Sequence, residues 1–159
     1  MPKLPAKALL ALAVAASCTA APLPAPAVRT ATTFVIPTEL PNGRVEITVA
    51  ASYALGTTIT VPIAIVATRG TITGPLKARV MASGINEAGL PAEVLVRDLA
   101  VAPQTATAGT RRMTTLTWDT RDAKGVIVPA DAYSLVVEFQ SDEAGASRPV
   151  MTGATLELR

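Results

Sequence analysis

Three groups of side chains in this 159-residue sequence are placed to do chemistry. Cys18 is the only cysteine and follows three small residues, Ala15-Ala16-Ser17. Its thiolate is a nucleophile, and a sole cysteine cannot close an internal disulfide. Asp119 and Asp122 flank Arg121 just ahead of Gly125, a spacing that offers a carboxylate pair for acid–base work or oxygen ligands for calcium. The same residues also make a turn, because Asp oxygens accept bonds from nearby backbone N–H groups and Gly tolerates positive φ. The dense ligand spacing of a calcium loop is missing, which favours turn capping. Arg111-Arg112 offers two cations to an acidic partner, or simply starts a solvated strand. Histidine is absent from the sequence, which removes the commonest general base and a common metal ligand. The expectation is a chain with no catalytic residue, no metal site and no cofactor beyond whatever Cys18 carries.

The segment before Cys18 accounts for that cysteine. Lys3 and Lys7 form a positive start, Ala8 to Ala16 form a nine-residue apolar run, and Ser17 is small; this is the layout of a secretory signal. A membrane-spanning helix needs roughly 20 apolar residues, so the run is too short to be one. Ala15-Ala16-Ser17-Cys18 resembles the bacterial lipobox, with Ala15 where that pattern prefers Leu. The resemblance implies cleavage before Cys18 and a covalent N-terminal lipid, palmitate included, on its sulfur and amine. It also implies an extracytoplasmic, lipid-anchored protein, on the outer membrane if the cell has two, since Thr19 follows instead of Asp. The whole chain carries 14 Lys+Arg against 12 Asp+Glu, and without Lys3 and Lys7 the balance is 12 against 12. A basic face for nucleic acid is therefore not expected.

Residues 1–17 thus read as a lipoprotein signal peptide, 18–31 as an Ala/Pro tether and 32–159 as one domain. Pro22, Pro24 and Pro26 alternate in the tether, which bars a helix and holds the chain extended. Beyond it the apolar residues recur with period two, the mark of half-buried strands. Phe34–Ile36 is a short candidate, and Asn42-Gly43 gives a type I′ turn signal before a strand over Arg44–Ala50. Thr57–Val66 sets Ile59, Val61, Ile63 and Ile65 on one face, with Pro62 pointing to an edge or a bulge. Further strands are expected around Leu76–Met81, Glu93–Val101, Met113–Asp119, Tyr133–Gln140 and Thr152–Leu158, with a loop over Ser141–Pro149. Aromatics are only 3% of residues, so the core must come from Val, Ile, Leu and Ala, which with abundant Thr favours strands. The fold class is all-β: an antiparallel sandwich of about seven or eight strands.

Residues 116–139 carry a second resemblance. Trp118-Asp119, Arg121-Asp122, Gly125, Val128-Pro129 and Tyr133 are similar to the closing signature of the immunoglobulin-like domain of flagellar hook-capping proteins and other secreted bacterial proteins. Thr120 and Asp131 stand where that family has Gly. The resemblance implies an immunoglobulin-like sandwich in which these residues are framework, and it says little about activity.

Loops at sandwich ends often carry binding. Ile85, Asn86, Glu87 and Leu90, in the Gly84–Pro91 loop, are the candidate partner-contact residues; Tyr53 and Leu55, in the connection before the Thr57 strand, are further candidates of the same kind. The expected role is a non-enzymatic envelope lipoprotein that meets the membrane through its lipid and another envelope protein through its sandwich. The competing expectation is a small-ligand-binding or protease-inhibitor-like domain working through an end loop.

Overall fold

The computed structural model describes residues 32–143 and 145–159. The signal, Cys18 and the tether lie outside the described residues. Among the described residues nine strands form: β1 (Thr33–Leu40), β2 (Gly43–Ala50), β3 (Ile59–Ala67), β4 (Thr71–Ile85), β5 (Pro91–Leu99), β6 (Gln104–Thr107), β7 (Thr110–Trp118), β8 (Ala132–Glu143) and β9 (Ala146–Glu157). One sheet has the order β1-β2-β3-β7 and the other β5-β4-β8-β9, with β6 also pairing β4. All these pairings are antiparallel. The chain is an all-β, two-sheet sandwich.

The alternation read from the sequence is the alternation that packs. Val45, Ile47 and Val49 of β2 and Ile59, Val61, Ile63 and Ile65 of β3 are buried on one side. Tyr133, Leu135, Val137 and Phe139 of β8 face them from the other sheet. At about 25 cal/mol per Å² of apolar area, each of these side chains contributes roughly 1.5–3 kcal/mol. Gly74 lets Phe139 close the core, because a Cβ there would sit 2.3 Å from its ring.

Four details depart from the sequence reading. Pro62 does not mark an edge: β3 is flanked by β2 and β7, and Pro62 pairs with Thr115. The ladder to β2 ends at Ile47–Ile63, one residue short of Pro62, so the missing N–H costs little there. The first turn is Pro41-Asn42 rather than Asn42-Gly43, since Leu40 pairs with Gly43. Pro41 has its φ fixed negative, which excludes type I′. Ser141–Pro149 is not a loop; β8 and β9 continue through it with Ser141 opposite Arg148 and Asp142 opposite Ser147. Its polar composition imitates a turn, but Ser141 is buried and hydrogen-bonded. The ninth strand is β6, four residues of QTAT, too short to show a period.

The strand directions define two ends. At one, the hairpin end, lie the starts of β1, β3, β5 and β8, the segments 51–58 and 119–131, and the β4–β5 hairpin. Pairings fix this arrangement: Thr33–Ala50, Ile59–Trp118, Tyr133–Ala82, Ile85–Pro91 and the Tyr53–Leu158 bridge. Thr32 enters here, its carbonyl accepting from Ala51 N at 2.8 Å. At the other, the Asn42 end, lie the β1–β2 turn, residues 68–70, the 108–109 turn and the β8–β9 hairpin.

Candidate interaction surfaces

The segment after β7 is built around the residues that looked chemical. Trp118 is buried and its Nε1 donates to Arg121 O at 2.9 Å. The chain can fold back this sharply because Thr120 takes a left-handed φ of 55°. This is the position where the resembled domain has Gly, and the conformation is one that Gly adopts freely. Thr120 is fully buried and its Oγ1 donates to Asp119 O at 2.7 Å.

The two carboxylates serve the backbone. Asp119 Oδ1 accepts from Arg121 N at 3.2 Å, and Asp122 Oδ1 accepts from Lys124 N and Val126 N, both at 2.9 Å. Gly125 (φ 81°) turns the chain, and its carbonyl accepts from the Arg121 guanidinium at 2.7 Å. Among the described residues, no group of three acidic or sulfur side chains gathers into a metal cluster. Asp131, also at a Gly position of the resembled domain, caps the start of β8 through Oδ1 to Ala132 N.

Tyr133 locks this segment to the core. Its ring meets Trp118 edge-on, with centroids 5.4 Å apart at 67°, a geometry favoured by the ring quadrupoles. Its hydroxyl donates to Pro129 O at 2.9 Å, the corner contact typical of Greek-key sandwiches. Burial, and secondarily the charge of Asp131, raise its pKa above 10.0.

The 119–131 segment also lies on the edge of β5: Ala123 N donates to Val96 O, and Arg97 donates to Asp122 O. Between them runs an open groove of about 420 Å³ bordered by Leu95, Val96, Lys124, Val128 and Tyr133. Ser83, Asp122 and Asp131 also line it.

The structure places Ile85, Asn86, Glu87 and Leu90 on a tight hairpin rather than a long loop. Asn86 Oδ1 accepts from Ala88 N and Leu90 N at 3.0 Å each, and Asn86 N donates to Leu90 O at 2.9 Å. Gly89 supplies the positive φ of 75°. Asn86 is therefore a scaffold, while Ile85 (72% exposed) and Leu90 (60%) are held out to solvent. Of the two candidates before β3, Tyr53 is structural, half-buried with its hydroxyl accepting from Ala50 N at 2.9 Å. Leu55 stays exposed.

Sequence reasoning missed two features. Val126 and Ile127, beside Gly125, are exposed, as are Phe34 and Val35 at the start of β1; their signal was apolar character outside the buried alternation. The other is Asn42, read only as a turn residue. It is fully buried and reaches across to the second sheet, donating to Thr71 O at 2.7 Å and Asp142 O at 3.0 Å, while Ser141 Oγ donates to its Oδ1. Around it the surface is charged: Arg69 pairs with Glu143 at 3.0 Å, and Glu46 receives both Arg44 and Arg111.

No protein-family model matches the chain, and no curated protein matches it either.

Proposed function

We propose that this chain is a lipid-anchored protein of the bacterial cell envelope whose sandwich acts by contact with other envelope proteins rather than by catalysis. The observation that carries the reading is how the chemical-looking residues are used. Asp119, Asp122 and Arg121 satisfy backbone groups of their own turn, while large apolar side chains such as Ile85, Leu90 and Val126 stand exposed. Exposed apolar side chains of that kind favour contact with another macromolecule. The anchor is Cys18, preceded by the apolar run and the small residues that a lipoprotein signal peptidase requires. Two acyl chains hold a protein on a bilayer stably, where one is marginal. The immunoglobulin-like resemblance of residues 116–139 agrees with the positive φ at Thr120 and the Tyr133–Pro129 bond.

Mass spectrometry of the mature N-terminus tests the anchor. A diacylated Cys18 as first residue is expected, with Cys18→Ala moving the protein from the membrane to the soluble fraction. An unmodified terminus elsewhere reduces the reading to secretion. For the contact role, crosslinking in intact cells is expected to give a defined heteromeric product; hydrolase activity lost in Asp122→Asn would overturn it.

A further inference from the structure

The exposed large hydrophobic side chains are not spread evenly. Phe34, Leu55, Ile85, Leu90, Val126 and Ile127 lie at the hairpin end, on four separate segments of chain, while Met113 and Met151 are exposed midway along β7 and β9. No described turn at the Asn42 end carries one. Scattered exposed apolar residues need no explanation, but a set gathered at one end of a domain marks a contact surface. These side chains are also firmly presented. Ile85 and Leu90 stand on the Asn86-braced hairpin, and Val126 and Ile127 stand on the turn held by Asp122 and Arg121.

We infer that the hairpin end rests on a lipid bilayer, dipping these side chains into its interface. This rests on the anchor reading above and adds to it an orientation. Thr32, where the described chain begins, sits at this same end. Fourteen steps separate Cys18 from Thr32, and at about 3.1 Å per residue, the rise of a fully extended Pro-rich chain, they reach at most roughly 43 Å. The sandwich is nearly as long: the 12 residues of β8 run about 40 Å at 3.3 Å each. Bringing the Asn42 end to the membrane would need the tether laid taut along the whole domain, whereas the hairpin end reaches it with slack to spare.

The charges decide what kind of contact it is. Glu87, Asp119, Asp122, Asp131 and Glu157 at this end outnumber Arg121, Lys124 and Arg159. Anionic headgroups therefore do not attract it, and the apolar side chains must supply the affinity. The loop read from the sequence as a protein contact is thus assigned to lipid, and the charged Asn42 end is left facing outward.

Cys18 is the only cysteine, so once it is acylated a newly introduced thiol can be labelled alone. Full-length lipoprotein carrying Ile85→Cys, Leu90→Cys or, at the opposite end, Ala108→Cys is labelled with a bimane fluorophore. It is then reconstituted into phosphatidylcholine vesicles containing a lipid with a nitroxide on its acyl chain. Quenching several-fold stronger at 85 and 90 than at 108 is expected, and no stronger when phosphatidylglycerol is added. Equal, weak quenching at all three positions overturns the inference. So does crosslinking of the Ile85→Cys variant, through its new thiol, to a second copy or another protein in place of quenching. If the native N-terminus carries no lipid, the anchor reading fails by itself. The unacylated chain, Cys18 replaced by Ala, is then mixed with the same vesicles: quenching at 85 and 90 upholds the bilayer contact, and its absence overturns that too.

Discussion

The two ends of the sandwich solve the problem of closing a β-domain differently. At the Asn42 end a buried amide joins both sheets, accepting one bond and donating two across the gap. Its surface is covered with ion pairs such as Arg69–Glu143. At the hairpin end each turn is braced locally: Asn86 caps its own hairpin, Asp122 its own loop, and Tyr133 returns to Pro129 four residues back. Long-range closure through a buried polar group leaves little freedom to change. Local bracing leaves the outward-facing side chains free, and Ile85, Leu90, Val126 and Ile127 are exposed there.

Substitutions at Gly43, in the Asn42 end, and Gly125, in the hairpin end, differ most sharply. A Cβ on Gly43, at φ 154°, would lie 2.0 Å from Val66 O, so Gly43→Ala is expected to cost about 4 kcal/mol or to prevent folding. Gly125 also has a positive φ but open space around it, and Gly125→Ala should cost only about 1–2 kcal/mol. Urea denaturation of both variants, compared at constant m-value, measures the difference.

The asparagines come next. Asn42→Ala strands buried partners on two strands and is expected to cost about 3 kcal/mol; Asn86→Ala loses exposed turn bonds and about 1 kcal/mol. Equal losses at the two sites would remove the distinction between long-range and local closure.

Tyr133→Phe should cost about 1 kcal/mol at neutral pH through the lost bond to Pro129. It has a pH signature as well. The native pKa is raised by burial and by Asp131, so the unfolded chain gives up this proton first. The tyrosine's contribution is full below pH 10.0 and declines as pH rises through the native value. The stability gap between the wild type and Tyr133→Phe should therefore narrow in thermal melts above pH 10.0.

The smallest effect is expected where the exposed hydrophobics are. Ile85→Ser and Leu90→Ser should each change stability by less than about 0.5 kcal/mol, because neither side chain is packed. A large loss in either melt would mean that they belong to the core and not to a contact surface.

Much of the sandwich was legible because its core is aliphatic and strictly alternating. β2, β3 and β8 each place a large apolar residue at every second position, and a half-buried strand requires that. Legibility failed where a residue's environment came from distant chain. Pro62 looks like an edge marker until the early end of the β2–β3 ladder is known, and Ser141 looks like a loop until Asn42, 99 residues away, receives its hydroxyl. The 118–133 segment was readable as a turn because its capping is local. Thr120 gave no intrinsic sign of positive φ, since β-branched residues rarely adopt it, and standing where the resembled motif has Gly it read as a departure in the turn geometry. The exposed apolar residues were individually visible, but their gathering at one end depends on topology.

The β1–β2 ladder has a mechanical meaning as well. β1 is bonded to the rest of the sheet through β2 alone, over eight residue pairs from Thr33–Ala50 to Leu40–Gly43. The backbone bonds of an antiparallel ladder lie across the strands. Tension drawn through Thr32 along the strand axis, away from the hairpin end, therefore loads the whole ladder in shear. A pull at right angles would open the same ladder one pair at a time. Force spectroscopy with handles at residue 32 and in the 108–109 turn should find the domain stiff along that axis, a direction in which a tethered protein is pulled whenever its surroundings move.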